Sequence, residues 1–247
     1  MNNKKKGITL VVIATLFWGV MGVTSRTLGN AGIDAMSISF LRSLIATVGF
    51  FIFLCIFNRD AFKVDLKGII ISGIYGIVTF ALSFTTFNIA VQRVPIAVAT
   101  VLMFTNPIWV TIINAIFFKE KITSKKAIII TITIIGCILI SNILGVGLKG
   151  LDVVGILIGL LTGLLFALQL VTPRFFVGKY SKDSMIIYGF IFSTIALAFV
   201  ANFSGIHNAV TTNSSPAFII LNILSIGILS TFIANISYVK ATDYIET

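Results

Sequence analysis

Charge is scarce in this sequence: 11% of its 247 residues are Asp, Glu, Lys or Arg, against roughly 25% in an ordinary soluble domain. Acids are the rarest of these, eight in all, and each falls in a polar break or at the edge of an apolar run. Histidine occurs once, as His207, and cysteine twice, as Cys55 and Cys137, both inside apolar runs. That distribution excludes a disulfide framework and offers no zinc-ligand spacing. It also leaves an embedded enzyme without a nucleophile and base or a cluster of metal ligands. Neither cofactor nor metal is indicated.

What the chain has instead is hydrocarbon. Its residues are 57% hydrophobic, with 22 Phe, and the mean hydropathy is +1.09. Apolar runs of about 18 to 24 residues recur along the whole length, matching about 30 Å of bilayer at 1.5 Å per residue. Eight spans are expected, near 7–28, 35–57, 68–91, 96–118, 127–144, 153–175, 184–201 and 217–239. The runs lack the period-two alternation of a membrane barrel, whereas helices satisfy their own backbone in lipid. The fold class expected is therefore all-α, a polytopic membrane helix bundle whose first partner is the lipid bilayer. The first run ends in Arg26 without a small-residue cleavage site and is read as a retained helix.

Net charge is +10, which in a soluble chain would suggest nucleic acid. Here the cations form no basic stripe with interleaved aromatics, so nucleic acid is not indicated. Fourteen of the eighteen fall in one set of alternate breaks, three (Arg26, Arg93, Lys149) in the other, and Arg42 lies inside a span. Cytoplasmic loops retain Lys and Arg. The expected topology is a multi-pass protein of the cell membrane with a cytoplasmic N-terminus. The longest break, Asn202 to Pro216, is expected to be an external loop holding His207.

A weak internal repeat accompanies this pattern. An offset of 148 sets Gly7-Ile8 on Gly155-Ile156, Leu16 on Leu164 and Val23-Thr24-Ser25-Arg26 on Val171-Thr172-Pro173-Arg174. Five spans separate the copies, so the second enters the membrane from the opposite face. Inverted repeats of this kind surround a midplane site in secondary transporters. Two units are expected, 1–148 and 149–247.

Four marks then resemble the EamA-type pattern of the drug/metabolite transporter superfamily: Trp18-Gly19, Arg42-Ser-Leu-Ile-Ala46, Pro107, and Phe117-Phe118-Lys119-Glu120. The second half is similar but looser, with Phe166-Ala167 in place of Trp-Gly and Phe190 in place of Arg42. The resemblance implies ten helices in two inverted five-helix repeats around a central cavity. It implies export or exchange of a small metabolite, by alternating access. On that pattern the chain is expected to hold five plus three helices of five plus five, lacking the last pair. A truncated, non-transporting fragment is the alternative, and a homo-oligomer would be one way to complete it.

Arg42 stands out on physical grounds. It lies roughly 10 Å into its span, where a lipid-facing charge costs on the order of 2.5 to 3.5 kcal/mol. Either it snorkels to headgroups or helix carbonyls, or it is a cavity cation for a carboxylate or phosphate, which makes the expected substrate amino-acid-like or anionic. No acid is buried in a span, so a cationic drug is a poor fit. Asn88, Thr105, Asn106 and Gln169 are in-span polar groups open to helix–helix bonding or to the cavity. Pro107 loosens carbonyls one turn earlier, and Trp18 is either packing or cavity wall. Structural roles are expected for Gly19, for Glu120 as a tie between loops, and for Gly155, Gly159 and Gly163, whose spacing admits a close helix neighbour.

Overall fold

The computed structural model describes residues 3–141 and 152–244. The end of the expected fifth span (142–144), the expected boundary between units, Lys149 and Glu246 lie outside the described residues. Besides a short 3-10 helix at Arg59–Phe62, nine helices are present among the described residues: α1 (Asn3–Asn30), α2 (Ala35–Phe57), α3 (Leu66–Arg93), α4 (Ile96–Phe117), α5 (Ser124–Ser141), α6 (Val153–Phe176), α7 (Lys182–Ala198), α8 (Phe203–Thr211) and α9 (Pro216–Ala241). Six of them, α1 to α4, α6 and α9, are long and apolar enough to cross a membrane, and the bent pair α7 and α8 counts as a seventh if taken as one span. The protein is an all-α polytopic bundle.

The scarce acids have a local explanation. Asp34 accepts from the backbone N–H groups of Met36 and Ser37, Asp65 from Gly68, and Asp152 from Val154. Each caps the first turn of an apolar helix, where four N–H groups lack helical partners and a negative charge suits the helix dipole. These three acids are thus held at span ends, and of the helices named above only α7 carries one, Asp183 in its first turn.

Three helices are irregular in the middle. Wide π-helical turns interrupt α3 at Ile77–Ala81 and α9 at Ser225–Ile233, and α4 breaks at Phe104 and Thr105, just before Pro107. One sequence expectation is corrected at 202–216. This stretch is no plain loop but contains α8, set at 86° to α7. The Asn202 side chain caps it by accepting from Gly205 N, and Ile206, Ala209 and Val210 pack on Leu28, Ile33 and Ile219.

Packing follows a crosswise pattern. Helix α3 lies against α6 and α7, and α9 lies against α1 and α2. Helices α2 and α7 meet through hydroxyls, Ser43 bonding Ser193 at 3.1 Å and Thr194 at 3.0 Å. At the α3–α7 crossing the backbones touch: a Cβ added to Gly76 would sit 2.0 Å from the Gly189 carbonyl oxygen. Lipid gives helices no hydrophobic reason to associate, so such small-residue contacts and stacked rings do the work. Phe80 and Phe190 stack at 4.2 Å beside them. On α6, added Cβ atoms at Gly155, Gly159 and Gly163 would strike Val94, Leu102 and Thr105 respectively, so this glycine face carries α4 and the end of α3. Outward-facing Leu16, Ile74, Ile116 and Leu157 are exposed and form the lipid surface.

Candidate functional site

Two neighbouring cavities lie within the bundle. The larger, about 590 Å³, is lined by Tyr75, Phe80, Gln169, Asn235 and Tyr238, with Glu120, Lys126, Arg174 and Lys182 among its charged lining residues. The smaller, about 20 Å³, is lined by Trp18, Met21, Arg42, Phe84, Phe87, Met103 and Phe166. Gln169 and Asn235 belong to both linings and form the partition: Gln169 Nε2 donates to Asn235 Oδ1 at 3.3 Å. The outer vestibule has the volume of a small-molecule site, whereas the inner chamber has room for about one water.

The vestibule opens at the end of the bundle where Arg174 and Lys182 start or finish helices. There Glu120 accepts from Arg174 at 2.7 Å and Lys126 at 2.9 Å, tying α4, α5 and α6. Those two cations hold the Glu120 carboxyl below the usual carboxylate range. Lys182 reaches Asp243 at 3.3 Å. At the opposite end hydrogen bonds tie the helices together. Ser25 Oγ donates to Asn88 Oδ1 at 2.6 Å, and Asn88 Nδ2 donates to Ser39 Oγ at 2.8 Å, which joins α1, α3 and α2. Arg26 donates to the Val94 carbonyl, and Arg93 pairs with Asp152 at 2.7 Å.

Arg42 is 3% exposed and points into the bundle. Its Nε donates to Thr231 Oγ1 at 2.7 Å, and its guanidinium lies over the Phe84 ring at 3.8 Å. Thr231 sits in the wide turn of α9 and donates in turn to the Ile226 carbonyl, five residues back. Asn235 Nδ2 donates to the Thr231 carbonyl at 2.7 Å, which leaves Asn235 Oδ1 facing Gln169. The Gln169 backbone carbonyl is the one that Pro173 deprives of its helical partner, and Tyr75 Oη fills that place at 3.0 Å. One hydrogen-bonded network therefore links α2, α9, α6 and α3. Arg42 Nη1 and Gln169 Oε1 are buried and have no partner in it.

Of the residues singled out in the sequence, Trp18, Arg42 and Gln169 line the inner chamber together. Trp18 packs edge-on to Phe166 at 5.4 Å and tilted on Tyr238 at 5.6 Å. Asn88, Thr105, Asn106 and Pro107 line neither cavity. Asn88 is consumed in the closed end, and Asn106 Nδ2 donates to the Met103 carbonyl at 3.1 Å, the group that Pro107 leaves unpaired. Thr105 Oγ1 donates to Leu102 O at 2.7 Å. Sequence reading missed Tyr75, Thr231, Asn235 and Tyr238. Asn235 carried a signal, being an amide inside an apolar run; Thr231 carried none.

A polytopic helix bundle around a solute-sized cavity has the architecture of a membrane transporter. The chain belongs to the EamA-like transporter family, whose match covers residues 5–142. It is 31% identical over 149 residues to an uncharacterized transporter of Archaeoglobus fulgidus, covering 58% of this chain and 52% of that one. It is 24% identical to an uncharacterized transporter of Clostridium kluyveri over 96% of this chain and 77% of that protein. The pseudopaline exporter CntI of Pseudomonas aeruginosa is 24% identical over 55% of this chain and 46% of its own length. The chain thus spans about half to three quarters of these relatives. A solved crystal structure shares the fold, with a TM-score of 0.68 at 14% identity, over 95% of this chain and 78% of that one.

Proposed function

We propose that this protein exports or exchanges a small metabolite bearing a carboxylate or another anionic group, by alternating access of two inverted repeats. The observation that carries the substrate class is Arg42, which lines the inner chamber, has a buried Nη1 without a partner among the described residues, and shares that lining with no carboxylate. A buried cation with unused donors and a pathway leading to it is complementary to an anion. The charge pattern supports a cytoplasmic vestibule, and on that reading the conformation is inward-open. Efflux fits that orientation, and one relative is named as an exporter.

Support for the inverted repeat, 1–148 against 149–247, comes from the irregular turns. An offset of 151 places Ile77–Ala81 of α3 within Ser225–Ile233 of α9, so both third helices of the repeats widen at one register. Partnerships are exchanged in the same way: α3 takes α6 and α7, and α9 takes α1 and α2. Wide turns are a recurrent feature of functional segments in helices, and here they flank the chamber, where rocking would bend α3 and α9.

Counterflow into proteoliposomes tests the proposal, with amino acids, their deaminated acids, organic phosphates and quaternary amines as candidate solutes. Saturable flux of a carboxylate or phosphate compound, and none of the amines, is expected. Flux confined to cations would overturn it.

A further inference from the structure

The crosswise packing divides the bundle along a different line from the sequence repeats. In one group, α3 and α7 meet backbone to backbone at Gly76 and Gly189, a Cβ added at Gly73 would lie 2.9 Å from the Phe192 ring, and α6 sets its glycines against α4 and the end of α3. In the other, a Cβ added at Gly49 would lie 2.9 Å from the Phe232 ring and one at Gly227 2.5 Å from Ile45, which interlocks α2 with α9, and α1 lies along α9. The two interlocked crossings are counterparts. An offset of 148 sets Arg42 on Phe190, and one of 151 sets Phe80 on Thr231. The Arg42–Thr231 bond of one group therefore takes the place of the Phe80–Phe190 stack of the other.

Between the groups the bonds are of another kind. Ser43 and Thr47 of α2 meet Ser193 and Thr194 of α7, Ser25 and Ser39 share Asn88 of α3, and Asn235 of α9 meets Gln169 of α6. Each of these joins side-chain hydroxyls or amides, which both donate and accept and can take a new partner as helices shift. Phe50 lies on Phe190 at 5.2 Å, face to face, so one ring can glide over the other. Interlocked backbones and glycine–ring contacts permit no such shear without coming apart, because packed interfaces hold discrete arrangements. Connectivity follows the same line. Among the described residues the chain passes between the groups twice: at 58–65, from α2 to α3, and at 199–202, from α7 to α8, which packs on Leu28, Ile33 and Ile219 of the other group. We propose that transport moves α1, α2, α8 and α9 as one body against α3, α4, α6 and α7, each body drawn from both repeats, with the α2–α7 hydroxyls as the sliding surface. This rests on the alternating-access reading and names its moving parts. Gln169 and Asn235 then stand on opposite bodies, as do Ser25 and Asn88, so one shear parts the partition and rearranges the far end.

Disulfide locks test this, each in a background with Cys55 and Cys137 replaced. Gly73→Cys with Phe192→Cys ties α3 to α7, and Gly49→Cys with Phe232→Cys ties α2 to α9. In both pairs the new Cβ lies 2.9 Å from the Cγ position of the ring removed, within disulfide reach. Both locks join the first repeat to the second, whereas a crosslinked Ser25→Cys and Asn88→Cys pair stays inside the first repeat and joins the two bodies. Counterflow of the amino acids, deaminated acids and organic phosphates named above should therefore continue in both oxidised locks at the level of their reduced forms, and should stop when positions 25 and 88 are crosslinked. Loss of flux on oxidising either lock, with recovery in reductant, overturns the proposal and leaves alternating access standing, since repeat would then move against repeat. Undiminished flux in all three overturns alternating access as well. Where a cysteine pair fails to fold, or no solute gives flux, spin labels on lipid-exposed residues decide between the free protein and the protein crosslinked at 25 and 88. The Ile74–Ile195 and Phe51–Leu224 distances, each within a body, should hold, and the Leu16–Leu157 distance, between bodies, should change. A shift in either of the first two, or a fixed Leu16–Leu157 distance, overturns the proposal.

Discussion

Replacing Arg42 by Leu should cut flux severely without harming the fold, a combination that few buried substitutions produce. Arg42 is buried to 3% exposure, and among the described residues its guanidinium meets the Thr231 hydroxyl and the Phe84 ring. Removing a charge from hydrocarbon recovers the desolvation cost of holding it there, on the order of 2.5 to 3.5 kcal/mol. Against this stand one hydrogen bond of about 1 kcal/mol and a desolvated ring contact of about 2 kcal/mol. Melting of Arg42→Leu in detergent should accordingly stay at or near that of the wild type, and insertion should be normal. Anion flux should fall by about 10- to 100-fold or more, the worth of one charged hydrogen bond to the ligand. Arg42→Lys should not restore it. A single ammonium cannot hold Thr231 and present a second edge to a carboxylate, as the planar guanidinium does. Full flux in Arg42→Leu would mean that the cation has no contact with substrate.

Gly76→Val should have the largest effect on stability. Helices α3 and α7 cross there with backbone against backbone: the added Cβ falls 2.0 Å from the Gly189 carbonyl oxygen and 2.4 Å from its Cα. Neither atom belongs to a flexible side chain that could step aside, so the helices must separate and unstack Phe80 from Phe190. Overpacking of softer sites costs about 1–3 kcal/mol, and a rigid backbone clash belongs at or above the top of that range. Thermal unfolding and size-exclusion behaviour in detergent should show a poorly folded or aggregated protein. Gly19→Ala is the matched control, because nothing lies within 4 Å of the Cβ added at Gly19, and it should behave as wild type. Wild-type stability of Gly76→Val would contradict the close crossing.

Hydrophobic runs reveal helices because length and composition alone decide whether a segment can cross lipid. The helices α1 to α4, α6 and α9 were legible on that ground. Helix α8 was not, since nine residues carrying Ser, His and Asn fail any span test, and only contact with Leu28 and Ile219 explains its order. The site was legible in part. Arg42, Gln169 and Trp18 declare themselves as polar or bulky groups inside apolar runs. Asn88 and Asn106 carry the same signal and point elsewhere, one to the closed end and one to the carbonyl freed by Pro107. Nothing in a single sequence says which face of a helix a residue occupies once all faces are apolar, because lipid and protein interior select the same side chains. Thr231 and Tyr75 depend on neighbours from distant helices, and such pairings exist only in the assembled bundle.

Alternating access requires the closed end to open in every cycle, and that end can be stapled. Ser25 and Asn88 touch across α1 and α3 at 2.6 Å, so cysteines at both positions, in a background with Cys55 and Cys137 replaced, lie within reach of a short bis-thiosulfonate crosslinker. Flux of the transported metabolite through proteoliposomes should stop on crosslinking and return with reductant, while a cysteine replacing Leu170 in the vestibule should remain open to labelling from the lysine-rich face throughout. Undiminished flux with the Ser25–Asn88 end crosslinked would contradict transport by alternating access.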